Sequence, residues 1–271
     1  MTEALPRRAR ATGPCVAQLV PDPNLIGASR GPLMTTTPDA TRRFGSDMLV
    51  GLDEPVRRYF SHAIGGGALL PNGVLMAMRG RIKVGLWLPF SAEQTVDGRS
   101  FTWRARVGRG PLAPLRVTDR YADAAGGTEG RLLGRVTLFD AHDANTARSA
   151  ATRAAIESVV FAPPCVLPDR GVTWRAESDN IIVARFDLPP EQPEVRLRID
   201  EHGAIRTVSA LRWGNAGETT FQYIPFGGEI HAERRFGDLL LPSRASVGWW
   251  FQTPRYAPFF HAEISAVTPT L

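Results

Sequence analysis

His231-Ala232-Glu233 and His261-Ala262-Glu263 repeat one three-residue pattern. On a β-strand, residues two apart share a face, so each stretch would show an imidazole beside a carboxylate. Set on neighbouring strands, His231, Glu233, His261 and Glu263 would form a ligand set suited to zinc or iron. The competing reading is a solvated outer face, because Ile230 and Ala232 on one strand, and Phe260, Ala262 and Ile264 on the other, alternate with these residues as an apolar face. We prefer that second reading, so no metal is expected.

Asp119 poses a different problem. In Leu115-Arg116-Val117-Thr118-Asp119-Arg120-Tyr121 it shares a face with Leu115, Val117 and Tyr121. A carboxylate on an apolar face must be neutral, paired or wet, because burying an isolated charge is costly. With its pKa raised by such a site, it would be a candidate general base. Held ionised, it needs an arginine such as Arg148 or Arg153. Arg153 and Glu157 stand four apart in a helical stretch and can pair. Facing a cavity, that pair could recognise a polar head group. Asp119 and Glu157 are therefore the two catalytic candidates, with Tyr121 and Arg153 beside them as further acid–base groups. Asp140, His142 and Asp143 fall in a connection, where acidic residues are usually turn formers. Ser46, Ser91 and Ser243 lack the Gly-x-Ser-x-Gly elbow of a hydrolase. Cys165, between Pro164 and Val166, reads as buried and inert.

Several classes are excluded before any element is placed. The chain has 271 residues and only 2 cysteines, too few for a disulfide-stapled scaffold or a cysteine-rich zinc module. No apolar run reaches the length of a membrane-spanning helix. Gly65-Gly66-Gly67 follows a helix, has no lysine and precedes no helix, so it is a terminator, not a phosphate loop. No nucleotide or other cofactor is expected. The formal charge is +5, and Lys83 is the single lysine among the 32 basic residues. That skew reads as the codon bias of a GC-rich bacterial genome spread over a solvated surface. The arginines are dispersed over many strands, and nucleic acid is not an expected partner.

Residues 1–45 hold Pro6, Pro14, Pro21, Pro23, Pro32 and Pro38 and carry no amphipathic period. They read as a disordered leader, with Met34 an alternative start. Arg7, Arg8 and Arg10 resemble the start of a signal peptide, but the apolar stretch from Cys15 to Val20 is too short for its core. The expected location is the cytoplasm.

Residues 46–271 read as a single domain. Asp53-Glu54-Pro55 opens a helix whose Val56, Tyr59, Phe60 and Ala63 fall on one stripe. From Val74 the period switches to two, as in antiparallel strands with one wet and one buried face. Strands are expected over 74–84, 88–97, 101–107, 114–123, 130–140, 172–177, 180–188, 195–199, 204–213, 219–225, 228–236, 239–251 and 259–267. Turns are expected at Asp97-Gly98, Ala125-Gly126-Gly127 and His202-Gly203. Asn145 to Val160 has neither Gly nor Pro, is rich in alanine and reads as one central helix, capped by Asn145 and stopped by Pro163 and Pro164. About a dozen strands interrupted by one helix favour a mainly β fold, a single curved antiparallel sheet or open half-barrel, over the alternative of a β-sandwich.

Some residues also carry a resemblance. Leu52 to Tyr59, Gly80 to Phe90, Asp119-Arg120-Tyr121, Arg153 and Glu157 come first. Val166-Leu167-Pro168, Trp174, Tyr223 to Gly227, Glu233 to Gly237, Pro242-Ser243 and Gly248-Trp249 follow. This order resembles an uncharacterised bacterial family, a domain of unknown function, over roughly residues 50–267, itself similar to the open half-barrel of periplasmic lipoprotein-localisation carriers. The resemblance implies a concave apolar surface able to hold a lipid-like or aromatic molecule. It implies no chemistry, since one fold hosts many functions.

The expected function is thus binding of a small apolar or lipid-like ligand in a concave cavity. Trp103, Asp119, Tyr121, Arg153, Glu157, Trp174, Tyr223 and Trp249 are the expected ligand-binding residues. One alternative is a cofactor-independent isomerase-like or lyase-like enzyme using the same cavity. Another is a peripheral membrane protein whose arginine face meets anionic lipid. The aromatic run of Trp249, Trp250, Phe251, Tyr256, Phe259 and Phe260 fits a pocket wall, a membrane rim or the plug of a barrel end.

Overall fold

The structure is a computed structural model that describes residues 42–109 and 113–270. Most of the expected leader, and Met34 with it, lies outside the described residues. The end of that leader belongs to the fold. The Phe44 N–H donates to the Ala68 carbonyl at 2.8 Å, the Leu70 N–H donates to the Arg42 carbonyl at 2.9 Å, and Phe44 is buried.

Helix α1 (Glu54–Ala63) buries Val56, Tyr59, Phe60 and Ala63 on its apolar stripe, with Pro55 in its first turn. Asp53 precedes it but spends its carboxylate elsewhere, accepting from the Ala176 N–H at 2.6 Å. Six strands follow: β1 (Gly73–Val84), β2 (Leu86–Val96), β3 (Phe101–Val107), β4 (Leu115–Ala122), β5 (Ala125–Leu132) and β6 (Val136–Ala141). Helix α2 (Ala144–Phe161) then crosses to the far side, where β7 (Thr173–Ser178), β8 (Ile181–Arg185), β9 (Glu194–Ile199), β10 (Ile205–Gly214), β11 (Gln222–Phe236), β12 (Leu239–Trp249) and β13 (Ala257–Thr270) return towards the middle. All pairings are antiparallel, and the 13 strands form one sheet in the order β6-β5-β4-β3-β2-β1-β13-β12-β11-β10-β9-β8-β7. Each half of the chain is a meander. The halves are joined at β1 and β13 and left unpaired at β6 and β7, so the sheet is an open half-barrel and not a sandwich.

Alternation does most of the work. In β3, Phe101, Trp103, Ala105 and Val107 are buried while Arg104 and Arg106 are exposed; in β9, Val195, Leu197 and Ile199 are buried while Arg196 and Arg198 are exposed. The buried faces all point into the hollow, where α2 lies against β4 and β5 on one flank and β9 and β10 on the other. Its small residues permit that approach: Ala147, Ala150, Ala151, Ala154, Ala155 and Ser158 are all buried. The Tyr59 hydroxyl donates to the Val159 carbonyl at 2.5 Å, tying α1 to α2.

Four local expectations are corrected. The cap of α2 is Asp143, whose Oδ1 accepts from the Thr146 N–H at 2.7 Å. Asn145 sits inside the helix and accepts from Trp213 Nε1 at 2.8 Å. The expected turn at Ala125-Gly126-Gly127 is strand, because the turn falls on Asp123 and Ala124 at φ 49° and 63°. The expected strand 130–140 is broken at Leu133-Gly134, at φ 52° and 70°, into β5 and β6. Likewise 219–225 and 228–236 merge into β11, with Gly227 and Gly228 inside it. Those glycines serve close approach instead of a turn: side chains there would collide with the Val208 and Ser246 carbonyls and with Phe251 and Val247.

Gly126 serves α2 in the same way. A Cβ there would stand 2.6 Å from the Ala147 Cα and 2.8 Å from the Thr146 carbonyl oxygen, both helix backbone that cannot swing aside. Gly126→Val is therefore expected to cost about 1–3 kcal/mol or more, with Gly126→Ala milder. Urea denaturation would read it, and an unchanged midpoint for the valine variant would show that α2 does not need this approach.

Candidate functional site

The hollow is not filled uniformly. Where α2 passes β4 and β10, the packing turns polar around Arg153, on the third turn of the helix. The Arg153 Nη1 donates to Asp119 Oδ2 of β4 at 2.6 Å, and its Nε donates to Glu157 Oε1 at 2.7 Å. The remaining carboxylate oxygens are also occupied, by Thr128 Oγ1 on Asp119 and by Gln94 Nε2 on Glu157. The guanidinium lies 4.6 Å from the ring centre of Phe101 and 5.5 Å from that of Trp103. Burial alone would depress the Arg153 pKa, but the Glu157 and Asp119 carboxylates outweigh it and hold the group above its ordinary value. Asp119 is thus paired with an arginine, one of the outcomes open to a carboxyl group on an apolar face.

Opposite this cluster stands Arg212, on β10. Its Nε donates to the Ser149 carbonyl and hydroxyl oxygens, each at 3.1 Å. Its guanidinium stacks 4.6 Å from Phe226 and 5.1 Å from Trp249. No carboxylate pairs with it among the described residues. Burial first, and then the neighbouring Arg153 charge, push its pKa down to about 9, against partial support from Asp119 and Glu157. The charges of the two arginines and two carboxylates balance in number but not in contact. Both carboxylates close on Arg153, and Arg212 is left with neutral oxygens.

Arg153, Arg212, Asp119 and Trp249 line a cavity of about 200 Å³ together with Phe101, Phe221, Asn145, Ser149 and the Gly214–Ala216 turn. The lining therefore combines aromatic rings, the Arg153 and Arg212 guanidinium groups, the Asp119 carboxylate, and small hydroxyl and amide groups. A concave site of this kind can fix an anionic or strongly polar group by charge-assisted hydrogen bonds and lay an apolar segment on the rings. Both catalytic candidates are engaged as acceptors from arginine and from neutral donors.

The expected ligand residues divide. Trp103, Asp119, Arg153, Glu157 and Trp249 gather at or against this cavity. Trp103 is buried, and its Nε1 has no acceptor among the described residues. Tyr121 is buried at the margin, with its hydroxyl donating to the Pro189 carbonyl at 2.6 Å and its pKa pushed up to about 12, first by burial. Trp174 lies elsewhere, in the core between Tyr59 and Phe60 at ring distances of 5.4 and 5.1 Å, and its Nε1 donates to the Val166 carbonyl at 2.8 Å. Tyr223 borders a separate depression of about 480 Å³. There its hydroxyl donates to Glu191 at 2.7 Å and accepts from Arg148 at 2.8 Å. Cys165 is buried, and burial pushes its thiol up to about 12.

The alternative metal set does not assemble. Strand β12 stands between β11 and β13, so the two histidine strands are not neighbours. Register shifts in β11 fall between Ile230, Ala232 and Glu233, and the residues of that pair reach different partners. Glu233 meets His62 at 3.0 Å, and His231 meets the Ser246 hydroxyl at 2.8 Å. His261 stacks on Trp87 at 4.7 Å, and Glu263 pairs with Arg79 at 3.1 Å. Among the described residues no group of three metal-binding side chains converges.

Sequence reasoning missed Arg212 and Gln94, yet the signal that singled out Asp119 was present for both. Arg212 is in phase with Val208 and Ala210, both buried, and Gln94 with Phe90, Ala92 and Val96.

Residues 42–262 match the model of a family of unknown function, DUF6544, and the chain belongs to that family. No curated protein matches it. Its fold is similar to that of a LolA superfamily protein from Nitrosomonas europaea, at TM-score 0.44 and 6% identity over 80% of this chain and 92% of that one. It is also similar to a putative outer membrane lipoprotein-sorting protein domain from Vibrio parahaemolyticus, at TM-score 0.40 and 8% identity over 73% and 85%. A third similar chain is a DUF1329 family protein from Desulfovibrio piger, at TM-score 0.37 and 9% identity over 73% and 86%.

Proposed function

We propose that this member of the family binds a small apolar or lipid-like molecule that carries an anionic head, held by Arg212 in the cavity between α2 and the two flanks of the sheet. The observation that carries the reading is the Arg212 guanidinium. It is half-buried on aromatic rings, lacks a carboxylate, and borders an open cavity. A cation so placed is under-compensated, and a carboxylate or phosphate entering the cavity would supply the missing partner at close range and low local polarity. The volume of about 200 Å³ suits a head group and a short apolar segment. Phe101, Phe221 and Trp249 supply the surface for that segment.

The test is a thermal-shift comparison of decyl phosphate, decanoate and decanol. The two anions are expected to stabilise the protein by about 2.7 kcal/mol at one hundred times their dissociation constant, and decanol far less. Arg212→Gln should weaken anion binding by roughly 10- to 100-fold, the worth of a hydrogen bond to a charged group, while leaving the unliganded protein at least as stable. Equal shifts with decanol, or undiminished anion binding by Arg212→Gln, would refute the reading.

A further inference from the structure

The outer face of the β1–β6 flank carries an arrangement that folding alone does not favour. Strand register sets Arg106 of β3 directly opposite Arg116 of β4, and Arg116 directly opposite Arg131 of β5. Like charges in direct cross-strand opposition destabilise a sheet. Carboxylates relieve the row only at Arg131. Glu129 pairs with Arg131 and Glu263 with Arg79, while Arg106 and Arg116 have no ion-pair partner among the described residues. Arg81 and Lys83 near the end of β1 and Arg135 in the β5–β6 turn extend the positive field, and all three are exposed.

The β1–β2 and β5–β6 turns lie at one end of this flank, because the turns of an antiparallel meander alternate between its two ends and these are the first and the fifth. Both turns show apolar side chains to water. Leu86 is 76% exposed, Leu133 65% and Val136 58%. Trp87, beside Leu86, is half-buried against His261 on the outer face. Apolar turn tips set at the end of an arginine row, with Arg106 and Arg116 lacking an ion-pair partner among the described residues, match a bilayer surface in two ways. Anionic head groups neutralise the arginines, and the leucines enter the boundary between head groups and acyl chains. A nucleic acid would use the arginines but leave the leucines without a role.

We infer that the β1–β6 flank of the half-barrel docks on an anionic lipid surface, with the β1–β2 and β5–β6 turns inserted and Arg106, Arg116 and Arg131 over the head groups. This site is on the outside of the sheet and is independent of the Arg212 cavity. The experiment is co-sedimentation of the full chain with vesicles of phosphatidylcholine alone and of phosphatidylcholine with about 30% phosphatidylglycerol. Partitioning is expected on the anionic vesicles only, and to fall as salt is raised. Arg106→Ser with Arg116→Ser should lower the partition coefficient on the order of 25-fold, from the attraction of each basic residue to an anionic surface. Leu86→Ser with Leu133→Ser should lower it on the order of tenfold. All four positions are exposed, so thermal midpoints should hold, and the arginine variant should rise slightly as the like-charge row is relieved. Failure of the wild-type chain to partition on anionic vesicles overturns the inference. So does full binding by the leucine variant together with equal binding to a duplex DNA oligonucleotide, which would make the row a general polyanion surface. Decyl phosphate binding at Arg212 is measured without vesicles, so the two proposals fail separately.

Discussion

Arg153→Met is expected to lower the unfolding free energy by about 3 kcal/mol, at the lower end of what breaking a buried ion pair costs. The reason is what it leaves behind. Asp119 and Glu157 are 24% and 15% exposed, and without the guanidinium two carboxylates would face each other across a partly closed hollow. Gln94 and Thr128 still donate to them, but neutral donors do not cancel charge. The lower end is appropriate because Asp119 borders the open cavity, where water can reach it. For a folded region of this size the loss corresponds to roughly 6–12 °C in thermal midpoint. The decisive control is Arg153→Met combined with Asp119→Asn and Glu157→Gln. Removing all three charges should recover most of the loss, since a charged cluster replaced as a whole is often close to neutral in stability. If the single variant melts within about 1 °C of wild type, the cluster contributes little and the ions are solvated. If the triple variant is no better than the single one, the loss comes from the guanidinium's stacking on Phe101 and Trp103 and not from its ion pairs.

The same cluster shows what was legible in the sequence. The period of two placed nearly all the strands, because a half-barrel whose inner face is buried imposes strict alternation on each of them. The place of Asp119 in phase with Tyr121 flagged it as a carboxyl group in need of a partner, water or a proton, with Arg148 and Arg153 as the arginines to choose between, and Arg153 is the partner. The glycines misled. Gly126 and Gly127 look like turn residues and Gly227 like a break between strands, but all three are strand positions where the α2 backbone, the His142 side chain, or the Val208 carbonyl and Phe251 leave no room for a side chain. Nothing local distinguishes a glycine needed for backbone freedom from one needed for space, because the second need is set by residues far away in sequence. Arg212 escaped for a related reason. Its face was readable, but its want of a partner was not, because that depends on which strands α2 lies against.

Trp174→Ala is expected to cost about 3–5 kcal/mol, the range for truncating a large buried aromatic residue, and to leave ligand binding unchanged. The sequence made Trp174 a pocket residue, but the indole is wedged between Tyr59 and Phe60 and bonded to the Val166 carbonyl, so its loss opens a hole where α1 meets β7. Nothing in that contact set reaches Arg212. Trp249→Ala should behave in the opposite way. Its ring lies on Arg212 and lines the cavity, half-buried and packed on Phe226 at 4.9 Å. Its truncation should cost less stability, about 1–3 kcal/mol, but should weaken decyl phosphate binding markedly by removing both the apolar wall and the surface that orients the guanidinium. Urea denaturation and a ligand titration on both variants, below their melting points, separate the two roles. A Trp174→Ala protein that stays as stable as wild type but loses the ligand would move the binding site to the α1 side of the hollow. A Trp249→Ala protein that binds decyl phosphate normally would detach the aromatic wall from recognition and leave Arg212 acting alone.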